Sequence, residues 1–298
     1  MKLLRTPDER FENLLDFPFE PHYAEVDDIR IHYVDEGPRD GEIILLMHGE
    51  PSWSYLYRHM IPILVDVGYR TIAPDLVGFG RSDKPTETSD HTYRKHVEWM
   101  TKLVKALDLQ NITLFCQDWG SLIGLRVAVE NQERFSRIFL TNGGLPNGSR
   151  EPLPAFLRWR EMSLSMPKFS LELVMQGGTY GKLSKEILKG YDAPFPDESY
   201  KAGARIMPSL VPASTDDPEH QNNIDAFRKF KEWDVPFITA FSDKDSISRG
   251  GERVWQKHAQ GAQGQKHTTI KDAGHFVQEE KGPECAKVLI EFIKDNPL

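Results

Sequence analysis

Short apolar segments alternate with amphipathic segments along this chain of 298 residues, and this alternation limits its possible folds more than any other feature. The predicted strands are 29–34, 42–47, 69–74, 112–116 and 137–141. The predicted helices between them are 54–67, 93–107 and 119–131. Apolar strands separated by helices are typical of a mostly parallel sheet that is covered on both faces. The sequence therefore predicts an α/β protein.

The alternation stops near Asn142 and returns at Pro236. Between these points the chain shows helical patterns without strands, at about 153–165, 168–176, 182–189 and 198–205. After them come the predicted strands 236–242 and 267–271 and the helices 251–258 and 283–295. A helical block inside an α/β pattern indicates an insertion in a surface loop. We expect a core of residues 1–142 and 213–298, with a helical cap at 143–212 over the carboxyl ends of the strands, where ligands bind in such sheets.

Composition excludes several classes of protein. Lys and Arg number 37 against 45 Asp and Glu, and this net charge of −8 argues against binding to nucleic acid. The longest aliphatic run, at 43–47, is far short of the ~20 residues that a bilayer span needs. The two cysteines, Cys116 and Cys285, are too few for a disulfide scaffold or a cysteine-built metal site. We expect a soluble, cytoplasmic enzyme that acts on a small neutral or apolar molecule, without metal or cofactor.

The segment Cys116-Gln117-Asp118-Trp119-Gly120 lies between a predicted buried strand and an apolar helix. It matches the tight strand–turn–helix element that presents a nucleophile above a sheet, with small residues on either side of the tip. Aspartate occupies the tip, where serine is more usual. An aspartate here could also serve only as a helix N-terminal residue that the helix dipole stabilises. Other segments must decide between these two interpretations.

The segment 48–51, His-Gly-Glu-Pro, directly follows the predicted strand 42–47. In this class of fold that loop supplies one backbone N–H of an oxyanion hole, and the residue after the nucleophile supplies the other. The predicted oxyanion donors are therefore the backbone N–H groups of Glu50 and Trp119.

Two later residues complete a catalytic triad. Asp245 follows the predicted strand 236–242, and His275 lies in a glycine-containing loop after the strand 267–271. The chain order Asp118, Asp245, His275 is the order of nucleophile, acid and histidine expected for this fold. The turn at 116–120, the loop 48–51, Asp245 and His275 are each a weak signal. Together, and in this context along the chain, they favour the catalytic interpretation of Asp118.

An aspartate nucleophile narrows the reaction. A carboxylate is already ionised at neutral pH, so it can displace a leaving group from a saturated carbon without help from a base. The product is an alkyl ester, which water can cleave when His275 acts as base and Asp245 orients it. The sequence thus predicts a two-step hydrolysis at a carbon that carries a halide or an epoxide oxygen.

From about residue 20 to its end the chain resembles the haloalkane dehalogenases of the α/β-hydrolase superfamily. The resemblance is carried by the segments 48–53, 78–85, 117–120 and 273–276. It implies an α/β-hydrolase fold with a mostly parallel sheet of eight strands. Glu50, together with an acid at Asp245 rather than Asp243, matches the first branch of the family. Another branch places its acid after the sixth strand, where this chain has Asn142.

The resemblance also implies a halide site. An indole N–H can donate to a halide while its ring keeps water out. Trp119 is one such donor by resemblance, and the second donor in this branch is a cap tryptophan, here Trp159. Phe156, one helical turn before Trp159, could line the substrate pocket. The implied partners are a small halogenated alkane, water and the halide product, and we expect a monomer.

Two alternatives stay open at this point. An epoxide hydrolase shares the aspartate nucleophile, and its two cap tyrosines could come from Tyr180, Tyr191 and Tyr200. A binding protein with this fold is expected to have lost part of the triad, which this chain retains.

Overall fold

The computed structural model describes residues 1–298, except for the side chain of Ala155. Its strands are β1 (Leu3–Leu4), β2 (His22–Val26), β3 (Ile29–Glu36), β4 (Ile43–Met47), β5 (Arg70–Pro74), β6 (Lys84–Pro85), β7 (Ile112–Gln117), β8 (Phe135–Gly143), β9 (Phe237–Ser242) and β10 (Thr268–Ile270). Its α-helices are α1 (Ile61–Asp66), α2 (Tyr93–Ala106), α3 (Asp118–Glu130), α4 (Pro154–Ser165), α5 (Leu171–Gly178), α6 (Lys185–Asp192), α7 (Ala202–Leu210), α8 (His220–Phe230), α9 (Glu252–His258) and α10 (Val277–Asp295).

One large sheet forms the centre of the protein. Within the described chain it has eight strands in the order β10-β9-β8-β7-β4-β5-β3-β2. Only the pairings of β3 with β2 and with β5 are antiparallel in this sheet. Along β4, Ile44 and Leu46 join one hydrophobic cluster, whereas Leu45 and Met47 join the other. This alternation is expected of a strand buried on both faces, and the predicted α/β sheet is confirmed.

The order of the strands reverses around β4. The next strand in the chain, β5, pairs with one side of β4, and β7 pairs with the other side. Loops that leave two such neighbouring strands diverge, which opens a crevice beyond their carboxyl ends. The segment 48–51 follows β4 and Asp118 follows β7, so the topology places both at this crevice.

Helices α4 to α7 lie in the chain between β8 and α8. The end of α6 is tied to the core, because the Tyr191 hydroxyl donates to the Glu279 carboxylate and the Trp53 indole N–H donates to the Gly190 carbonyl at 3.0 Å. Arg58 holds the same Glu279 carboxylate through two hydrogen bonds of 2.6 Å. The cap limits of 143–212 stay a prediction.

Sequence reasoning missed β2 and α8 and misplaced the start of α10. β2 is an edge strand in which Val26 is buried and the other residues are partly or fully exposed, so it has little apolar signal. α8 buries one small, one polar and one aromatic residue, and its first turn is entirely polar. α10 begins at Val277 rather than Pro283, because its first turn lies before a kink at Lys281.

Candidate active site

Asp118 occupies the junction of β7 and α3, with a left-handed backbone at φ +48°. Such a conformation is strained for a residue with a side chain and persists only where its surroundings enforce it. Two glycines make the room: a Cβ on Gly49 would overlap the Asp118 carboxylate, and one on Gly120 would overlap the Met47 carbonyl. The turn therefore brings the carboxylate directly against the loop after β4.

His275 lies between two carboxylates. Its Nε2 is 3.2 Å from Asp118 Oδ2, and its Nδ1 is 3.2 Å from Asp245 Oδ1. Burial on its own lowers the pKa of His275, but the charge of Asp245 and the hydrogen bonds to both carboxylates raise that pKa to about 10. While Asp118 is ionised, His275 is therefore an imidazolium that bridges the two acids.

Asp245 is fixed by its own loop. Its carboxylate accepts hydrogen bonds from the N–H groups of Ile247 at 2.8 Å and Ser248 at 3.2 Å, and from the Ser248 hydroxyl. Burial raises the pKa of Asp245, yet the charge of His275 and these hydrogen bonds outweigh it and lower the pKa to about 2. The structure places this carboxylate, and not that of Asp243, beside His275. Asp243 instead accepts from the N–H of Asp272 at 2.8 Å.

The loop after β4 supplies a donor to Asp118. The Glu50 N–H donates to Asp118 Oδ1 at 2.7 Å. The buried His48 ring steadies this loop, because its Nε2 accepts the N–H of Leu76 at 2.9 Å. Trp119 lies in the first turn of α3, where backbone N–H groups have no partner within the helix. The Glu50 N–H thus contacts the Asp118 carboxylate directly, and the Trp119 N–H belongs to the residue that follows Asp118 in the chain.

A cavity of about 910 Å³ opens onto this carboxylate. Asp118, Trp119 and His275 line it from the core, and Phe156 and Trp159 line it from α4. The structure therefore brings the two predicted halide donors and the predicted pocket residue to the cavity that holds the predicted nucleophile.

Comparison with known proteins agrees with this geometry. Residues 42–282 match the family model described as alpha/beta hydrolase fold. A haloalkane dehalogenase of Psychrobacter cryohalolentis is 54% identical over 100% of both chains. One of Mycolicibacterium paratuberculosis is 47% identical over 98% of both chains. The chain belongs to the haloalkane dehalogenase family.

Solved structures of this family share the fold. The tetrameric haloalkane dehalogenase DpaA of Paraglaciecola agarilytica NO2 is 36% identical, with a TM-score of 0.89 over 97% of both chains. The haloalkane dehalogenase DatA of Agrobacterium tumefaciens C58 is 24% identical, and its TM-score of 0.81 over 98% of this chain and 100% of that chain supports the fold alone. The predicted family and fold class are confirmed.

The three tyrosines of the epoxide hydrolase alternative do not face the cavity. Tyr191 is buried and donates to Glu279. Tyr180 is 60% exposed, and Tyr200 packs against the hydrophobic core. None of the three is among the described residues that line the cavity. The site therefore offers no pair of tyrosine acids for an epoxide oxygen, and the close relatives do not favour this alternative.

Asn142 has a role that sequence reasoning missed. Its Nδ2 donates to the carbonyls of His275 at 2.9 Å and Gly274 at 3.0 Å, while its Oδ1 accepts the N–H of Ser242 at 2.9 Å. Asn142 therefore fastens the histidine loop to the ends of β8 and β9. The sequence signal for this role is an amide side chain just past a buried strand.

The Glu50 carboxyl group also lines the cavity. It is buried, and its Oε1 has no hydrogen-bond partner among the described residues. Burial and the charge of Asp118 raise the pKa of Glu50 well above its usual range, although the charge of His275 lowers it. The surroundings of Glu50 therefore favour its neutral form while Asp118 is ionised.

The part of the chain that the structure describes lacks two other kinds of functional feature. It contains no group of three or more His, Cys, Asp or Glu side chains arranged to hold a metal ion. It also contains no helix with the length and apolar character required to span a bilayer.

Proposed function

We propose that this haloalkane dehalogenase cleaves the carbon–halogen bond of a haloalkane through an alkyl ester on Asp118. The observation that carries the proposal is the position of the Asp118 carboxylate. One of its oxygens accepts the Glu50 N–H, and the other faces His275 at the wall of an apolar cavity. This is the arrangement that a carboxylate nucleophile and a later water molecule both need.

In the first step Asp118 Oδ2 attacks the carbon that carries the halogen, while Oδ1 keeps its hydrogen bond to the Glu50 N–H. A C–O bond forms as the C–X bond breaks, and the bonding electrons leave with the halide. The indole N–H groups of Trp119 and Trp159 stabilise the developing charge, and Phe156 contacts the alkyl group. Hydrogen-bond donors lower a reaction barrier most effectively when they point at a charge that develops in the transition state.

Esterification prepares the second step. It removes the negative charge of Asp118, which is one of the causes that raise the pKa of His275. The imidazolium then gives up its proton more readily and becomes a base. His275 takes a proton from water, whose oxygen attacks the Asp118 carbonyl carbon, while the Glu50 and Trp119 N–H groups hold the oxyanion. When this intermediate collapses, the C–O bond to the alkyl group breaks, the remaining proton of the water goes to the leaving alkoxide, and the alcohol and the Asp118 carboxylate result.

A single turnover in heavy-oxygen water tests this pathway. Water attacks the enzyme rather than the substrate, so the first alcohol should carry unlabelled oxygen and the label should enter the Asp118 carboxylate. Mass spectrometry of the peptide that contains Asp118 would detect it. Label in the first alcohol would contradict the proposal, and an epoxide substrate run in parallel tests the alternative.

We also propose that the enzyme is a cytoplasmic monomer. Cys116 and Cys285 are free and buried, which suits a reducing compartment. The relative from Paraglaciecola is tetrameric, so sedimentation of the purified chain is the direct test of the monomer. Cell fractionation tests the location.

A further inference from the structure

Gln117, the residue before the nucleophile, has no part in the pathway described above. It is the last residue of β7, and its side chain is fully buried. Its Nε2 lies 3.1 Å from Nε2 of the His275 ring and 3.1 Å from the His275 main-chain oxygen. The strand that presents Asp118 therefore also contacts the catalytic histidine, because Nε2 of Gln117 reaches two atoms of His275.

The contact with the main-chain oxygen identifies the end of the amide that faces His275. A carbonyl oxygen only accepts hydrogen bonds, so the NH₂ group of Gln117 must point toward it. The second hydrogen of that group is then available to the ring. A lone pair on Nε2 accepts such a donor, whereas a hydrogen on Nε2 repels it. The contact thus favours a neutral ring whose proton is on Nδ1.

We propose that Gln117 is a positioning residue that favours the neutral Nδ1–H tautomer of His275 once Asp118 is esterified, with the Nε2 lone pair directed at the site of ester hydrolysis. This inference rests on the proposed function, because only the second step needs a neutral base at Nε2.

Three titratable groups face the His275 ring: Asp118 at the start of α3, Asp245 after β9 and Glu50 after β4. Asp118 loses its charge in the ester, but Asp245 keeps its charge and continues to favour the imidazolium. Gln117 opposes protonation of Nε2 without introducing a charge. It therefore counteracts Asp245 in the step in which a persistent imidazolium would stop the reaction.

The first test compares the wild type with Gln117→Met and Gln117→Glu in single turnovers of 1-bromobutane from about pH 5 to pH 9. Quenched samples separate bromide release from loss of the alkyl ester. Ester hydrolysis needs neutral His275, so its rate falls below the pKa of that residue. Losing this hydrogen bond should move the fall upward by roughly 0.7 pH unit in Gln117→Met, which is equivalent to about 1 kcal/mol. The carboxylate of Gln117→Glu should move it further.

Asn142→Ala is the matched control. Asn142 donates to the same His275 carbonyl but not to the ring. Its loss should slow hydrolysis without moving the acid limb of the pH profile. An equal shift of the acid limb in Asn142→Ala and Gln117→Met would show that anchoring of the loop causes the effect, and it would overturn the inference. Unshifted pH profiles in both Gln117 variants would also overturn it.

A second measurement needs neither turnover nor a Gln117 variant. In Asp118→Asn the side-chain amide imitates the uncharged ester, and ¹⁵N-labelled histidine reports the protonation of each ring nitrogen. We expect a proton on Nδ1 of His275 and an unprotonated, hydrogen-bonded Nε2. A protonated Nε2 would contradict the inference. A wild type that releases no bromide would contradict the proposed function instead, and the tautomer would still be decided.

Discussion

The core and helix α4 form opposite walls of one cavity, but they are held in different ways. On the core side, buried polar groups fix Asp118 and His275 through hydrogen bonds of 2.7 to 3.2 Å. Among the described side chains of α4, only Ser163 is buried. Apolar residues of this helix face solvent, such as Leu164, which is 50% exposed and does not line the cavity.

This difference separates the chemistry from the selection of substrate. Bond formation requires reacting atoms to be held within a few tenths of an ångström, which directional hydrogen bonds in a buried network provide. Apolar contacts from a half-exposed helix tolerate larger displacements. We therefore expect core substitutions to remove whole steps and α4 substitutions to change rates gradually.

Asp118→Ala tests the core wall most severely. Without its nucleophile the enzyme should lose activity by a factor on the order of 10⁶, comparable to other hydrolases that lose theirs. Bromide release from 1-bromobutane measures this loss. The exposed Leu157, which does not line the cavity, supplies the control variant Leu157→Ala. Residual activity above about one per cent would place the nucleophile elsewhere.

His275→Phe should separate the two steps. Displacement needs no base, so bromide should appear once per active site, whereas the ester should persist because no group activates water. Intact-protein mass spectrometry would show the mass of one alkyl group on Asp118. Repeated turnover at the wild-type rate would show that His275 is not the base.

Trp119→Phe and Trp159→Phe compare the two walls directly. Each change removes one N–H donor and keeps a ring, and the usual cost of losing such a donor is about 2–4 kcal/mol in the displacement step. We expect the larger cost for Trp119, because it is 2% exposed in the core, whereas a residue of α4 can shift to compensate. Rapid-quench bromide release measures both, with Trp233→Phe, outside the cavity, as control. Equal and negligible losses would remove both residues from the halide site.

The contribution of Asp245 to the stability of the fold should depend on pH. Its pKa of about 2 lies below the value of ~3.9 for an unfolded chain, so its contribution to stability is complete above that value and is lost as the pH falls toward 2. The difference in unfolding free energy between wild type and Asp245→Asn should therefore shrink by roughly 1 kcal/mol from about pH 6 to pH 3. Urea unfolding at both values measures it. A constant difference would mean that the ion pair with His275 does not stabilise the fold.

Sequence reasoning identified Asp118, Asp245 and His275 because the fold requires these residue types after particular strands, and strand order converts into spatial proximity. It could not identify the contacts of Asn142, because they join three segments that are far apart in the chain. Which amide in a buried turn reaches a distant carbonyl depends on packing.

Among the strands, too, the sequence predicts those whose signal is local and misses one that depends on contacts with a neighbour. The buried strands, such as β7 and β9, were found because all their residues are buried. The edge strand β2 was missed because its stability comes from pairing with β3 rather than from an apolar pattern.

Phe156→Ala should have the smallest effect of these changes. Phe156 is partly exposed on α4 and lines the cavity without a polar partner, so its loss removes only apolar contact with the alkyl chain. We expect kcat/KM to fall about fivefold to tenfold for short bromoalkanes, equivalent to about 1 kcal/mol, and to fall less for longer ones that reach other walls. A series from bromoethane to bromohexane measures this trend, with Leu157→Ala on the same helix as control. A uniform loss across the series would mean that Phe156 supports the position of α4 rather than contacting the substrate.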